Sequence, residues 1–180
     1  MSRNGSCQWT ARTVGILAII IGSTPLAAQP LEQSVKAAFL TKFARYVDWP
    51  AGARAGGRPL ELCIVGNDPF GPLIDQAARG DPGPLAVRRV ERAEQARNCA
   101  VAFLSGTRQQ STAQMVAALQ GLPVLTITDA RGGSTQGMIH FAVRQGKVGF
   151  HINDALAARS RLSISSRLLR LALSVRQRSG

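Results

Sequence analysis

The sequence predicts an α/β fold: a three-layer sandwich with a mostly parallel central sheet and a C-terminal hairpin, flanked by helices. Three observations carry that expectation. Short, nearly all-apolar runs end at Gly, Ser or Asp and alternate with helical patterns of about ten residues, as βαβ units do. Near residue 138 this gives way to two alternating runs around "RQGK", the spacing of a β-hairpin. A length of 180 residues with 45% hydrophobic content suits one domain with a sizeable core.

Taken in order, Leu31 to Pro50 reads as a helix. Val35, Ala38, Phe39, Lys42, Phe43, Tyr46 and Val47 recur at spacings of three and four, and Pro50 stops the run. "AGARAGGRP" is a Gly-rich connection. "LELCIVG" (Leu60 to Gly66) reads as a buried strand, "NDPFGPLIDQAARG" as a turn and a short helix ending at Gly80, and "PLAVRRV" as a second strand. "ERAEQARN" is a short helix or turn. "CAVAFLS" is a third strand, apolar throughout as at the centre of a parallel sheet. "STAQMVAALQG" is a helix capped by Ser111 or Thr112 and stopped by Gly121. "LPVLTITDA" is a fourth strand. Met138–Val143 and Val148–Ile152 form the hairpin, expected at one edge of the sheet. Two C-terminal helices close the chain, "NDALAARS" and "LSISSRLLRLALSVRQRSG".

Residues 1–28 read differently. Arg3 and Arg12, no acidic residue, the apolar run "TVGILAIII" and the small residues of "LAA" describe a secretory signal peptide cut after Ala28. The apolar run is shorter than the ~20 residues of a membrane span. The exported domain is then 29–180. Losing Arg3 and Arg12 takes the 22 basic residues to 20, against 10 acidic, a net of +10. In an exported protein that charge points away from nucleic acid and toward anionic head groups, an acidic protein face or simple solubility. Cys63 and Cys99 remain after Cys7 leaves with the leader. An oxidising compartment suggests one disulfide between them, with two buried free thiols as the alternative.

Catalytic chemistry finds little to rest on. "GNDPFG" has only the outer glycines of a nucleotide fingerprint, and Pro69 and Pro72 remove backbone donors. Asn67, Asp68 and Asp129 stand at strand carboxyl ends, where a small ligand would sit in a crevice. "GGSTQG" is not a nucleophile elbow. His140 and His151 alternate in phase on the hairpin without a third metal ligand, and read as surface or hydrogen-bonded residues. No cofactor is expected. In the terminal helix, Arg167, Arg170, Ser174 and Arg178 form one narrow stripe, with Leu, Ala or Val at 168, 169, 171, 172, 173 and 175, which implies a mostly buried helix with a basic edge. A membrane-surface helix would have the opposite proportions.

"KAAFLTKFARYVDWP", "LCIVGNDPFGPLI", "NCAVAFLS", "LPVLTITDA" and "FHIN…LSISSRLLRLA" follow the order seen in the YfiR family, and over residues 34–173 the chain resembles it. The resemblance implies a periplasmic regulator rather than an enzyme. Such a regulator binds the periplasmic sensor domain of an inner-membrane diguanylate cyclase, represses cyclic di-GMP synthesis and thereby controls biofilm formation. An outer-membrane lipoprotein can sequester it, and it tends to dimerise. By position, Cys63 and Cys99 match the family's disulfide, Asn153, Ser165, Ser166 and Arg167 its C-terminal motif, and Phe39 and Trp49 its N-terminal one. His151 stands where an acidic residue is expected, and a second cysteine pair of some relatives is missing. With Arg159 and Arg161, the C-terminal motif supplies the candidates for the partner face. The other reading is a periplasmic small-ligand binder using Asn67, Asp68 and Asp129.

Overall fold

Apolar strands and amphipathic segments assemble around a seven-stranded sheet. A computed structural model of the chain describes residues 28–51, 53, 59–80, 83 and 85–178. The expected leader, but for its last residue, and the Gly-rich connection at 54–58 lie outside the described residues.

Helix α1 (Ala28–Phe43) continues as a 3-10 turn, Ala44–Tyr46, into a two-residue strand β1 (Val47–Asp48). The expected helix to Pro50 is therefore cut short. The reason is tertiary: Val47 and Asp48 pair antiparallel with Ile164 and Ser163 of β8 (Ser163–Ile164), and the Ser165 amide donates to the Tyr46 carbonyl at 2.8 Å. Strand pairing has overridden a helical pattern.

Strand β2 (Leu60–Gly66) leads through a turn to α2 (Pro72–Arg79) and β3 (Leu85–Val90). Proline at the start of α2 occupies a position where an amide would have no helical partner. A 3-10 turn, Ala93–Ala96, precedes β4 (Val101–Ser105). Helix α3 (Thr112–Ala118) begins at a capping box in which Ser111 and Gln114 satisfy each other's amides. Then come β5 (Leu125–Asp129), the hairpin β6 (Ile139–Arg144) and β7 (Lys147–Asn153), and α4 (Asp154–Arg159).

The sheet order is β3-β2-β4-β5-β6-β7-β9, all parallel from β3 to β6, with β7 antiparallel to β6. The ninth strand is the main departure from the sequence reading. In place of a long terminal helix there is only α5 (Ser166–Leu169), then a turn, then β9 (Ser174–Arg176) pairing parallel with β7. The hairpin is therefore one strand in from the edge, and β9 is the edge.

Two apolar layers enclose the sheet. On one face, Ala37, Leu40 and Phe43 of α1 meet Ile74, Leu156 and Leu168 over Leu62, Phe103, Ile127, Phe141 and Phe150. Phe43 and Phe150 meet edge-on at 5.1 Å between ring centres, and Phe39 packs on both Phe141 and Phe150. On the other face Met115 and Leu119 of α3, with Ala93 and Ala96, cover Cys63, Val65, Ala102 and Leu104.

Candidate functional site

The surface expected to face a partner begins where β7 ends. Asn153 turns its side chain onto the helix that follows, and its carbonyl oxygen accepts the Leu156 amide at 2.9 Å. Asn153 is thus the N-cap of α4. The next residue, Asp154, is buried and accepts a forked pair of bonds from Arg178 at 2.7 and 3.1 Å. Arg159 closes α4 on the surface. Arg161 follows in the left-handed region, φ 57°, a place where helices usually put Gly. Its neighbour Leu162 reaches back to the Ala157 carbonyl at 3.0 Å and anchors the turn in the core.

Beyond β8, Ser165 caps α5 through the Leu168 amide. Ser166 and Arg167 are exposed on the first turn. Asn153, Arg159, Arg161, Ser165, Ser166 and Arg167 therefore follow one another as a ridge in chain order, β7 end to α4 to β8 to α5. Two of them, Asn153 and Ser165, are occupied as caps; the three arginines make no ion pair among the described residues.

The stripe expected in a terminal helix does not exist as a stripe. Arg178 is tied to Asp154, and Ser174 sits in β9, where its hydroxyl bonds His151 Nδ1 at 2.7 Å. Leu171 and Leu173, expected to be buried, are 65% and 46% exposed. The short α5 explains this, because a single turn of helix cannot carry an apolar face past residue 169.

The strand-end residues are placed and partnered. Asn67 Nδ2 donates to the Gly106 carbonyl at 2.7 Å, and its amide to that of Ser105 at 3.2 Å. Gly66, φ 82°, lies so close that a Cβ there would come within 2.0 Å of the Ser105 oxygen. Asp68 caps the turn through the Phe70 and Gly71 amides and holds Arg89 at 2.7 Å. Asp129 accepts from Lys36 at 2.6 Å and from the Arg131 amide at 3.0 Å. The ends of β2 and β4 are thus laced together at the point where α/β sheets commonly open.

Lys36 is the feature the sequence reading missed. It is fully buried in α1, between Glu32 on its own helix and Asp129 on β5, with Arg131 forked onto Glu32 at 2.6 and 2.8 Å. The Arg131 bonds, and Lys36 after them, pull the Glu32 carboxyl down to about 2 against burial. The Glu32–Lys36 spacing of four was the available signal. His140 is buried as well. Its Nδ1 lies 2.8 Å from the Thr128 hydroxyl, and desolvation lowers its pKa, favouring the neutral ring. It stands directly across from His151 in the hairpin register.

Cys63 and Cys99 are joined in a disulfide. Among the described residues, the cluster at metal-ligand spacing is Glu61 with these two cysteines, and both sulfurs are spent in the bond.

Fold and surface together describe a disulfide-stapled α/β domain with positive charge left unpaired, among the described residues, along its C-terminal segments. The chain belongs to the YfiR/HmsC-like family, whose sequence model matches residues 33–173. This is a family of periplasmic regulators rather than enzymes, and the disulfide is consistent with that compartment. No curated protein matches the chain. No helix among the described residues is long and apolar enough to cross a membrane.

Proposed function

We propose that this protein is a periplasmic negative regulator that binds the periplasmic sensor domain of an inner-membrane diguanylate cyclase and represses cyclic di-GMP synthesis. The observation that carries the reading is the ridge bearing Arg159, Arg161 and Arg167, exposed and without carboxylate partners in a chain of this family. Such a ridge fits an acidic face on the receptor. Repression follows if the regulator prefers the receptor's inactive state. Moving a two-state receptor from 1:99 to 99:1 takes a preference of about 10⁴-fold. Sequestration by an outer-membrane lipoprotein would then relieve repression by lowering the free regulator.

Deleting the gene is expected to raise cellular cyclic di-GMP, and the wild-type gene to restore it. A variant with Arg159→Glu, Arg161→Glu and Arg167→Glu should reach the periplasm folded yet fail to restore repression. A cyclic di-GMP level unmoved by the deletion would sink the reading. Repression intact in the triple variant would remove the ridge from it.

A further inference from the structure

Three large exposed aliphatic side chains of the C-terminal half stand at the tip of the β6–β7 hairpin and in the turn between α5 and β9. Strand β6 continues through Ala142, Val143 and Arg144 after its last pairing with β5, Asp129 to Phe141, so the tip projects from the sheet. Gln145 and Gly146 turn the chain with φ 50° and 73°, the two positive values that a tight hairpin turn requires. Because β9 runs parallel to β7, the residues just before it lie toward that same tip. Leu173 donates its amide to the Phe150 carbonyl at 2.8 Å and rests its side chain on Gly149. A Cβ at Gly149 would come within 2.8 Å of Leu173 Cδ1, so the glycine makes room for the leucine.

The tip and the adjoining turn expose Val143 at 41%, Leu171 at 65% and Leu173 at 46%. Arg144, Lys147 and Arg170 stand among them, exposed, with no ion pair among the described residues. After residue 129 the only acidic residue is Asp154, at the far end of β7 and held by Arg178.

We propose that this tip is a lipid-docking surface that takes the anionic phospholipid head groups of a bilayer. Charge complementarity selects the occupant, and shape separates it from a protein. Protein hot spots are aromatic-rich and seated in desolvated pockets. Here the exposed side chains are aliphatic and share the projecting end of the sheet with exposed cations. Aliphatic tips reach the boundary between head groups and acyl chains while Arg and Lys pair with phosphates. The surface adjoins the α5 end of the ridge, where the Arg170 amide donates to the Ser166 carbonyl at 3.1 Å, and it would hold an exported regulator in the plane where a membrane receptor presents its outer domain.

The test uses protein purified from the periplasm and vesicles of three parts phosphatidylethanolamine to one part phosphatidylglycerol, with phosphatidylcholine vesicles as the neutral arm. Co-sedimentation is expected with the anionic vesicles only. Each cation removed should weaken binding about fivefold, and reversal should do more. The variant Arg144→Glu, Lys147→Glu, Arg170→Glu should therefore lose roughly a hundredfold or more. A charge-matched control, Arg79→Glu, Arg97→Glu, Arg108→Glu, should lose far less. Leu171→Trp, at a position too exposed to disturb folding, should shift its emission to the blue on anionic vesicles and be quenched by brominated lipid. Equal losses in the two charge variants would overturn the proposal, since attraction would then be diffuse. So would an emission that stays unshifted in the Leu171→Trp variant. Absent vesicle binding, with repression lost in cells carrying the tip variant, would overturn it in favour of a protein contact.

Discussion

The half of the molecule built on β2, β3 and α2 and the half built on β6, β7, α5 and β9 use the same side chain to different ends. In the first, Arg88 meets Glu61 at 3.2 Å, Arg89 meets Asp68 and Asp75 at 2.7 Å each, and Arg92 meets Glu94 at 3.5 Å. In the second, Arg144, Lys147, Arg159, Arg161, Arg167, Arg170 and Arg176 meet no carboxylate among the described residues. Exposed pairs of the first kind add little stability. Their effect is to cancel charge locally, while residues 121–180 hold nine basic residues against two acidic ones, +7 of the chain's +12. The last third is thus the most basic part of the chain, and that region is where a partner should be sought.

The largest expected effect lies at the seam between the halves. Lys36→Met leaves the Glu32 and Asp129 carboxylates, each 10% exposed, without their shared cation. Breaking a buried ion pair from one side costs about 3–5 kcal/mol, readable as a lower denaturant midpoint. Next is the disulfide in the first half. Its cysteines are 36 positions apart, and Cys63→Ala with Cys99→Ala should lose about 3–4 kcal/mol by the chain-entropy estimate. If instead the loss is negligible, the first half owes its order to packing alone.

Acid should cost more stability through Glu32 than through the exposed pairs. The Glu32 carboxyl is depressed from 4.5 to about 2, so its contribution is full above pH 4.5 and fades as pH falls toward 2. Glu32→Gln should flatten stability over that window in a pH series of unfolding curves. Arg161→Gly is a smaller test with opposite signs in two assays. It relieves a left-handed Arg, φ 57°, and should raise stability by roughly 1 kcal/mol while weakening repression. Last, Arg89→Ala should cost about 1 kcal/mol after allowing for its exposure, and Arg167→Ala less than 0.5. Equal costs would break the contrast between the halves.

Most of the sheet was legible because its evidence is local. "LELCIVG" and "CAVAFLS" are apolar beyond what a half-exposed strand would carry, and "VRQGKV" has hairpin spacing. The cap expected at Ser111 or Thr112 falls on Ser111, at the start of α3. The errors occur where a distant segment decides. Val47 and Asp48 fit a helical period, yet Ile164 and Ser163 claim them as a strand. Leu171 and Leu173 fit a buried helical face, yet β7 offers an open edge and takes the chain as β9. At the candidate site, the identities of the exposed arginines could be read from the sequence. Their lack of carboxylates could not, because it depends on where ten acidic residues go in space. Lys36 fell between these cases: its partner one turn back was readable, and Asp129 was not.

The contacts that fasten α1 have a consequence in time. Lys36 waits for Asp129, Val47 for Ile164 and the Tyr46 carbonyl for Ser165. Strands β2 to β5 can pair with neighbours close behind them as a chain is delivered amino end first. The opening helix meets Ile74 of α2 early, but its contacts of long sequence separation form slowly. Until the final segments arrive, Phe39, Leu40 and Phe43 have no Phe141 or Phe150 to cover them. The first part of the fold to emerge is therefore the last to be sheltered, and during that delay a holding chaperone would find its aromatic stripe.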